Sequence, residues 1–510
     1  MPQPRRIAVI GAGIAGLAAA HRLVELDPTS EITLFEASDR LGGVISTVHR
    51  DGFQVERSSD NFITTIPWGV NLCKRLGLAE QLIQTNPAYR RTFVVHAGRL
   101  YRLPEGFLMM APTRMWPLAI TPLLSPLGKF RAAMEYFIPA RKDPSDESMA
   151  AFVRRRLGRE VFDRLVEPLV SAVYAADMEK LSLLATLPRF REMETQYGSL
   201  IRAMRRQKKL NRQTASESGA RYSMFVTLRD GLKSLVDALA ARLPAGSARL
   251  NTPVVGLVRI KNRWRVLTVR DYSPPIANAL LERVGNRWPM LKDDPHPNPL
   301  PKGEGTNNDV PQGEGTNEFD AIIIAAPSPV ASKLLSTVDA TLSSDLAKIT
   351  HEGTAIVSLG YDVRQVGHPL DGMGAVVPAI ERSPILAISF SSRKYTHRAQ
   401  ESKTLLRVFV GGARHPELAE MPDDQLLPLV RRHTEKLLHI QGEPVFCDIA
   451  HWPGTMPQYH VGHKDLVARI EARASSLPHL HLAGNAYHGV GIPDCIHGGE
   501  LAAERILAAI

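Results

Sequence analysis

Cysteine is nearly absent: Cys73, Cys447 and Cys495 are the only three in 510 residues. An odd number at wide spacing excludes a disulfide framework and zinc-type ligand spacing, so a reducing cytosol is the simple expectation. Long apolar runs are missing too. A spanning helix needs about 20 apolar residues. The best stretch, Met115–Gly128, is uncharged but carries Pro117, Pro122 and Pro126, which break a helix. With Phe107, Met109, Met110 and Trp116 nearby it reads as buried core. The alternative is a membrane-surface or substrate-channel patch, which leaves peripheral membrane association open. Arg5-Arg6 ahead of Ile7–Ala20 imitates a signal peptide, but three glycines inside that stretch argue against one. The net charge of +10 favours anionic partners in general, yet there is no nucleic-acid motif and no basic tail. No Ser/His/Asp set, paired carboxylates or metal-ligand spacing stands out. His460, His463, His481, His488 and His497 cluster in sequence, but strand and helix geometry scatters them, so no metal is expected.

What is present begins at residue 7. Ile7–Ile10 is a short apolar strand, Gly11-Ala12-Gly13-Ile14-Ala15-Gly16 follows, a helix runs to about Leu26, and Glu31–Glu36 alternates as a second strand. G-x-G-x-x-G alone is weak. Here it follows a strand, opens a helix, and Glu36 stands twenty positions after Gly16. Gly11 permits the tight turn, Gly13 lets the backbone approach a pyrophosphate, and Gly16 lets helix and strand pack closely. The helix N-terminus offers free N–H groups to the phosphates, and Glu36 is placed for ribose hydroxyls. No second such motif occurs, so no dedicated nicotinamide site is expected and electrons must leave to oxygen or a separate acceptor. Near the C-terminus, Leu480–Asn485 reads as a strand ending in small residues. Gly489–Pro493 then leads into a helix whose positive end suits a reduced, anionic ring.

The rest of the chain divides by style. Residues 1–85 form a first dinucleotide-binding part. Residues 86–215 hold proline-rich apolar turns and helical stretches, and read as an inserted helical, substrate-facing domain. Residues 216–330 return to α/β, 331–450 alternate as a substrate-binding sheet with helices, and 451–510 close the binding domain. Arg202–Lys209 is a basic run, read as a solvated helix face. Lys302–Asn307 recurs as Gln312–Asn317 in all but its first residue, after Pro295, Pro297, Pro299 and Pro301. Such a segment buries too little apolar surface to offset its ordering entropy, so 271–317 is expected to be a disordered insertion.

Longer motifs carry a resemblance. Trp452–His463, Ala483–Glu500 and Pro168–Ser182 resemble motifs of the oxygen-dependent protoporphyrinogen/coproporphyrinogen oxidase family, the C-terminal block most specifically. Arg40-Leu41-Gly42-Gly43 is similar to the two-dinucleotide-binding flavoproteins and points to FAD. The resemblance implies an α/β fold: a Rossmann-like FAD-binding domain, a mixed-sheet substrate domain and an inserted helical domain. It implies FAD contacts at Gly11, Ala12, Gly13, Ile14, Ala15, Gly16, Glu36, Ala37, Arg40 and Val44. Val254 would sit at the adenine, and Asn485, Val490, Gly491 and Ile492 at the flavin end. Asp60 and Ala172 are candidate ring-side positions. The chain departs from the family at Glu56-Arg57-Ser58-Ser59, where Glu-x-Gly-Pro is usual, at Leu108, where animal and plant members carry an arginine, and at Ala172 and Ala176, where glycines are usual. The implied reaction removes six electrons and six protons from a porphyrinogen, with oxygen reduced to peroxide. Coproporphyrinogen III is the favoured substrate and protoporphyrinogen IX the alternative. An amine oxidase or desaturase-like enzyme on the same scaffold, or a non-catalytic flavin-binding protein, are the rivals.

Overall fold

The computed structural model describes residues 4–112, 115–206, 224–271 and 317–510. The strand Arg6–Ile10 is apolar on both faces and buried, as a central parallel strand must be. It lies between Glu31–Phe35 and Ala321–Ile324 in a five-stranded parallel sheet, with Ala248–Arg249 outside the former and Leu480–Leu482 outside the latter. Three stretches of chain far apart in sequence therefore build one sheet. Helix Ile14–Leu26 follows the first strand, and the C-terminal helix Ile492–Ala509 packs directly on it. That contact is close at Gly499, where a Cβ would lie 2.1 Å from the Ala15 carbonyl oxygen.

A second, seven-stranded sheet runs in the order Phe446–Pro457, His351–Asp362, Lys403–Gly411, Ile385–Phe390, Gly374–Val376, Thr92–His96, Arg99–Arg102. It is antiparallel except where Gly374–Val376 meets Thr92–His96. Two expected boundaries shift here. Residues 92–102 lie inside the stretch read as helical, yet pair into this sheet, because the short run Thr92–His96 finds its hydrogen-bonding partner some 280 residues later in sequence. The strand Phe446–Pro457 runs straight across the boundary drawn at 450. One face of the sheet packs on helix Asp423–Leu438; the other contributes Val94 and Val376 to an apolar cluster shared with the helices Met149–Leu157, Glu167–Tyr174 and Pro188–Tyr197.

The stretch Met115–Gly128 corrects a further expectation. Leu118, Leu123 and Leu124 are buried, but Trp116 is 74% exposed, Ile120 61% and Leu127 79%, and Phe130 and Phe137 extend the exposed row. The segment is amphipathic, with one apolar face left in solvent. No described helix is long and apolar enough to cross a membrane. The insertion expected at 271–317 falls almost wholly outside the described residues, as do the last three residues of the basic run 202–209.

A candidate flavin-binding site

The glycine turn has the geometry its sequence demands. Gly11 adopts φ +98°, donates its N–H to the Phe35 carbonyl at 2.8 Å, and could not carry a Cβ, which would meet the Ala325 carbonyl oxygen at 2.9 Å. At Gly16 a Cβ would sit 1.9 Å from the Gly11 carbonyl oxygen. Gly13 differs: no protein atom lies within 4 Å of its would-be Cβ, so this side of the turn faces open space. Ile14 and Ala15 then start the helix, presenting its N-terminal N–H groups to the same space.

Glu36, buried at the end of the second strand, accepts from the Ala12 N–H at 2.8 Å and from the Ser38 N–H and hydroxyl at 2.9 and 2.8 Å. A carboxylate has about four acceptor positions, so capacity remains for a ribose hydroxyl. Ala37 continues from it. The neighbouring segment is tied in place: Asn251 N–H donates to Ser38 O and Thr252 N–H to Glu36 O, which sets Val254 beside this end of the site. Arg40 folds back on its own loop, donating to the carbonyls of Gly43 at 2.6 Å and Ile45 at 3.1 Å; burial pulls its pKa below the ordinary value. The loop closes over the glycine turn, with Gly42 N–H on Ala12 O and Gly43 against Gly13, and leaves Val44 39% exposed.

At the other end, Gly491 caps the C-terminal helix with extended backbone, and Ile492 and Pro493 form its buried first turn. Asn485 is fixed from both sides: its Nδ2 donates to Thr455 O at 3.1 Å and its carbonyl accepts from the Tyr459 hydroxyl at 2.5 Å. Val490 packs into the apolar cluster that contains Ala172, Tyr174 and Val376. The helices and the second sheet thus share an apolar cluster beside this helix N-terminus. Asp494, in the helix's first turn, has its carboxyl pushed up by burial, with His497 opposing that shift.

The loop 57–60 enters the same region. Trp452 Nε1 donates to Arg57 O at 2.6 Å, three residues from the Thr455 that holds Asn485, so one strand anchors both loops. Arg57 pairs with Asp448 at 3.0 Å, and Arg407 Nη2 donates to Ser58 O. Ser58 Oγ is buried with no partner in the protein, which leaves a hydroxyl free for a ligand, while Ser59 points to solvent. Asp60 is neither a surface carboxylate nor a free base. It is paired with Lys394 Nζ at 3.1 Å and Arg407 Nη1 at 3.3 Å, and accepts from Asn61 Nδ2 at 2.7 Å. Burial alone would raise its pKa; Lys394, Arg407 and Arg398 outweigh that and hold it below the usual range. Ala172 is half-buried against the same apolar cluster. Left-handed backbone falls at Ala175, φ +50°, whose carbonyl accepts from Ala413 N–H at 2.8 Å.

Sequence reasoning missed Lys394, Arg398 and Arg407, and named Trp452 within a motif without its anchoring role. The available signal was Arg407 itself, a single charge inside the apolar strand Lys403–Gly411. The histidines lie apart: His463 stacks on Tyr459 at 4.0 Å, His488 faces Glu471 and His497 stacks on Trp68. Among the described residues no cluster could hold a metal ion. Burial lowers the His463 pKa to about 4. A neutral buried imidazole opposes folding only when the unfolded chain is protonated, so its stability term is intact above about pH 6.5 and is lost as pH falls from there towards 4. Replacing His463 by Phe is expected to flatten the acid loss in that window by about 2 kcal/mol, read from denaturant midpoints at pH 7 and pH 4.5.

An open side at Gly13, an unpartnered hydroxyl at Ser58 and two helix N-termini fit an extended dinucleotide carrying a ring at its far end. The comparisons agree with that chemistry. Residues 14–272 and 301–507 match the family described as flavin containing amine oxidoreductase. The chain is 33% identical to the coproporphyrinogen III oxidase of Bacillus subtilis (strain 168), over 99% of this chain and 98% of that one. It is 31% identical to the enzyme of the same name from Staphylococcus aureus, over 99% and 100%. It is 29% identical to the chloroplastic protoporphyrinogen oxidase of Nicotiana tabacum, over 97% and 84%. A crystal structure from Exiguobacterium sp. 255-15, described as a protoporphyrinogen oxidase, superposes with a TM-score of 0.81 at 29% identity and 98% coverage of both chains. Cyclohexylamine oxidase from Brevibacterium oxydans shares the fold at a TM-score of 0.66 and 14% identity, over 99% of both chains. A glycine turn, a carboxylate, a capped C-terminal helix and an apolar cluster, joined to end-to-end similarity, place the chain in the flavin containing amine oxidoreductase family, among its porphyrinogen oxidases.

Proposed function

We propose that the protein binds FAD and oxidises coproporphyrinogen III to coproporphyrin III, with oxygen reduced to peroxide. The carrying observation is the end-to-end match to bacterial coproporphyrinogen III oxidases, with almost no residue left over in either chain. Six electrons and six protons leave the substrate, and three oxygen molecules become three of peroxide. Bound FAD supplies the redox chemistry. The chain's own residues bind and orient. Gly13 would admit the pyrophosphate in a turn that Gly11 and Gly16 keep tight, Glu36 would accept from the ribose, and Gly491 would set the helix N-terminus that faces the ring. The apolar cluster that holds Ala172, Tyr174, Val376 and Val490 would give a flat apolar substrate a surface from which water is excluded.

The test is aerobic turnover of each porphyrinogen by the purified yellow protein, with porphyrin fluorescence and peroxide followed together. A kcat/KM at least about tenfold higher for coproporphyrinogen III than for protoporphyrinogen IX is expected, a difference of about 1.4 kcal/mol. Equal or reversed preference would favour the second substrate. No porphyrin above autoxidation would remove both.

The exposed row Trp116, Ile120, Leu127, Phe130 and Phe137 supports a peripheral association with an anionic lipid surface. Lys129 lies within the row, Arg202 stacks on Tyr136 beside it, and the chain carries a net charge of +10. Co-sedimentation with vesicles rich in anionic lipid is expected to be lost in a Trp116→Glu, Phe130→Glu double variant. Equal sedimentation of the two proteins would remove this proposal.

A further inference from the structure

Behind the loop 57–60 lies a charge cluster that no part of cofactor holding requires. Glu56, Arg398 and Arg407 are each at most 2% exposed at the side chain, Asp60 is 13% and Lys394 17% exposed. Arg398 faces Glu56 at 3.2 Å and donates to Thr227 Oγ1 at 3.0 Å; Lys394 and Arg407 share Asp60. Three cations therefore meet two carboxylates. Arg407 Nε has no hydrogen-bond partner in the protein, and Arg407 Nη1 and Arg398 Nη1 face their carboxylates as ion pairs without hydrogen-bond geometry. Burying a charge is costly unless it is paired, so an excess cation needs a reason. No other carboxylate pairs with this cluster among the described residues, and Arg57 on the same loop is balanced by Asp448.

The cluster's position supplies that reason. Arg407 reaches Ser58 O directly, and Ser58 sits on the loop that the strand Phe446–Pro457 holds against the Asn485 end of the site. We propose that Arg407, with Lys394, is a positioning residue that sets the reduction potential of the bound flavin, its uncompensated buried charge favouring the reduced, anionic ring. A charge in a water-excluded site acts over longer distances than one in solvent. Arg407 also fixes the Ser58 carbonyl, so charge and loop geometry are coupled through one side chain. The inference rests on flavin occupying this site and is independent of which substrate the protein oxidises.

The test is the two-electron potential of the bound flavin, by anaerobic reductive titration against reference dyes without any porphyrinogen. Arg407→Met removes one cation and is expected to lower the potential by at least about 30 mV, a tenfold change in the equilibrium constant. Lys394→Met removes the second and is expected to act in the same direction. Asp60→Asn removes an anion and is expected to raise the potential. Arg407→Lys keeps the charge and is expected to stay within a few-fold of the parent. Opposite shifts from cation and anion removal distinguish an electrostatic role from a merely structural one, which would move every variant the same way. Should Arg407→Met fail to fold, Lys394→Met and Asp60→Asn carry the same pair of signs. Unshifted potentials in variants that hold flavin, or shifts of one sign throughout, would overturn the proposal. Failure to oxidise any porphyrinogen would leave these potentials untouched.

Discussion

Replacing Gly13 by alanine is expected to leave the fold intact and abolish tight flavin binding, whereas the same change at Gly16 is expected to damage both. The two glycines are three residues apart in one turn, yet a methyl group meets different surroundings at each. At Gly13 the backbone is extended, φ −66°, which alanine adopts freely, and the new Cβ has no protein atom within 4 Å. It would occupy the space through which a pyrophosphate approaches. The affinity for FAD is expected to fall at least about a hundredfold, equivalent to about 2.7 kcal/mol, while the melting temperature of the cofactor-free protein stays unchanged. At Gly16 the Cβ would lie 1.9 Å from a backbone carbonyl and 3.2 Å from the Ala325 methyl, neither of which can rotate away. Helix and strand must part, and overpacking of this kind costs about 1–3 kcal/mol. Differential scanning of both apoproteins, beside a titration with FAD, separates the two outcomes. Tight FAD binding by Gly13→Ala would contradict the placement of the phosphates.

The second large effect is expected at Asp60. Its carboxylate is shared by Lys394 and Arg407, and the Asn variant leaves two buried cations without their partner. Breaking a buried ion pair from one side costs about 3–5 kcal/mol. The pH dependence has a fixed sign. The cations hold the folded-state pKa of Asp60 below its unfolded value, so the stabilisation is present above about pH 4 and disappears as pH falls through the lower folded value. Asp60→Asn is therefore expected to be less stable than the parent at pH 7, with the gap narrowing below pH 4. Denaturant midpoints measured across that range check it, and a gap that is constant with pH would assign the loss to packing rather than charge.

The glycine turn was legible because its determinants are local. A backbone that must turn at positive φ, approach a phosphate and then pack on a strand can do so only through glycines at fixed spacing, and Gly11, Gly13 and Gly16 stand where that logic puts them. Glu36 follows from its spacing after the glycine turn, at the end of the second strand. The C-terminal helix was legible through Gly491 and Pro493, which mark its start. The charge cluster was not legible, because Glu56, Asp60, Lys394, Arg398 and Arg407 meet only after two sheets have docked, and no local pattern records that meeting. Asp60 came to notice by its position in a family loop, but its partners lie more than 300 residues away. The strands at 92–102 were hidden for a related reason: four or five residues of alternating pattern after a proline-rich turn look alike whether they pair or not, and the partner Gly374–Val376 decides. In Met115–Gly128, alternating exposure is a property of the surface on which the segment lies, which composition does not show.

The central claim, a flavin reduced by a porphyrinogen at this site, is tested most directly by a single anaerobic mixing experiment. The oxidised yellow protein is mixed with excess coproporphyrinogen III in a stopped-flow cell without oxygen, and the visible flavin absorption is followed. The account predicts bleaching within the time of one catalytic cycle, porphyrin formed in proportion to the electrons taken up, and recovery of the yellow colour when oxygen is admitted. A flavin that stays oxidised under excess coproporphyrinogen III and protoporphyrinogen IX, yet bleaches with dithionite, would contradict it.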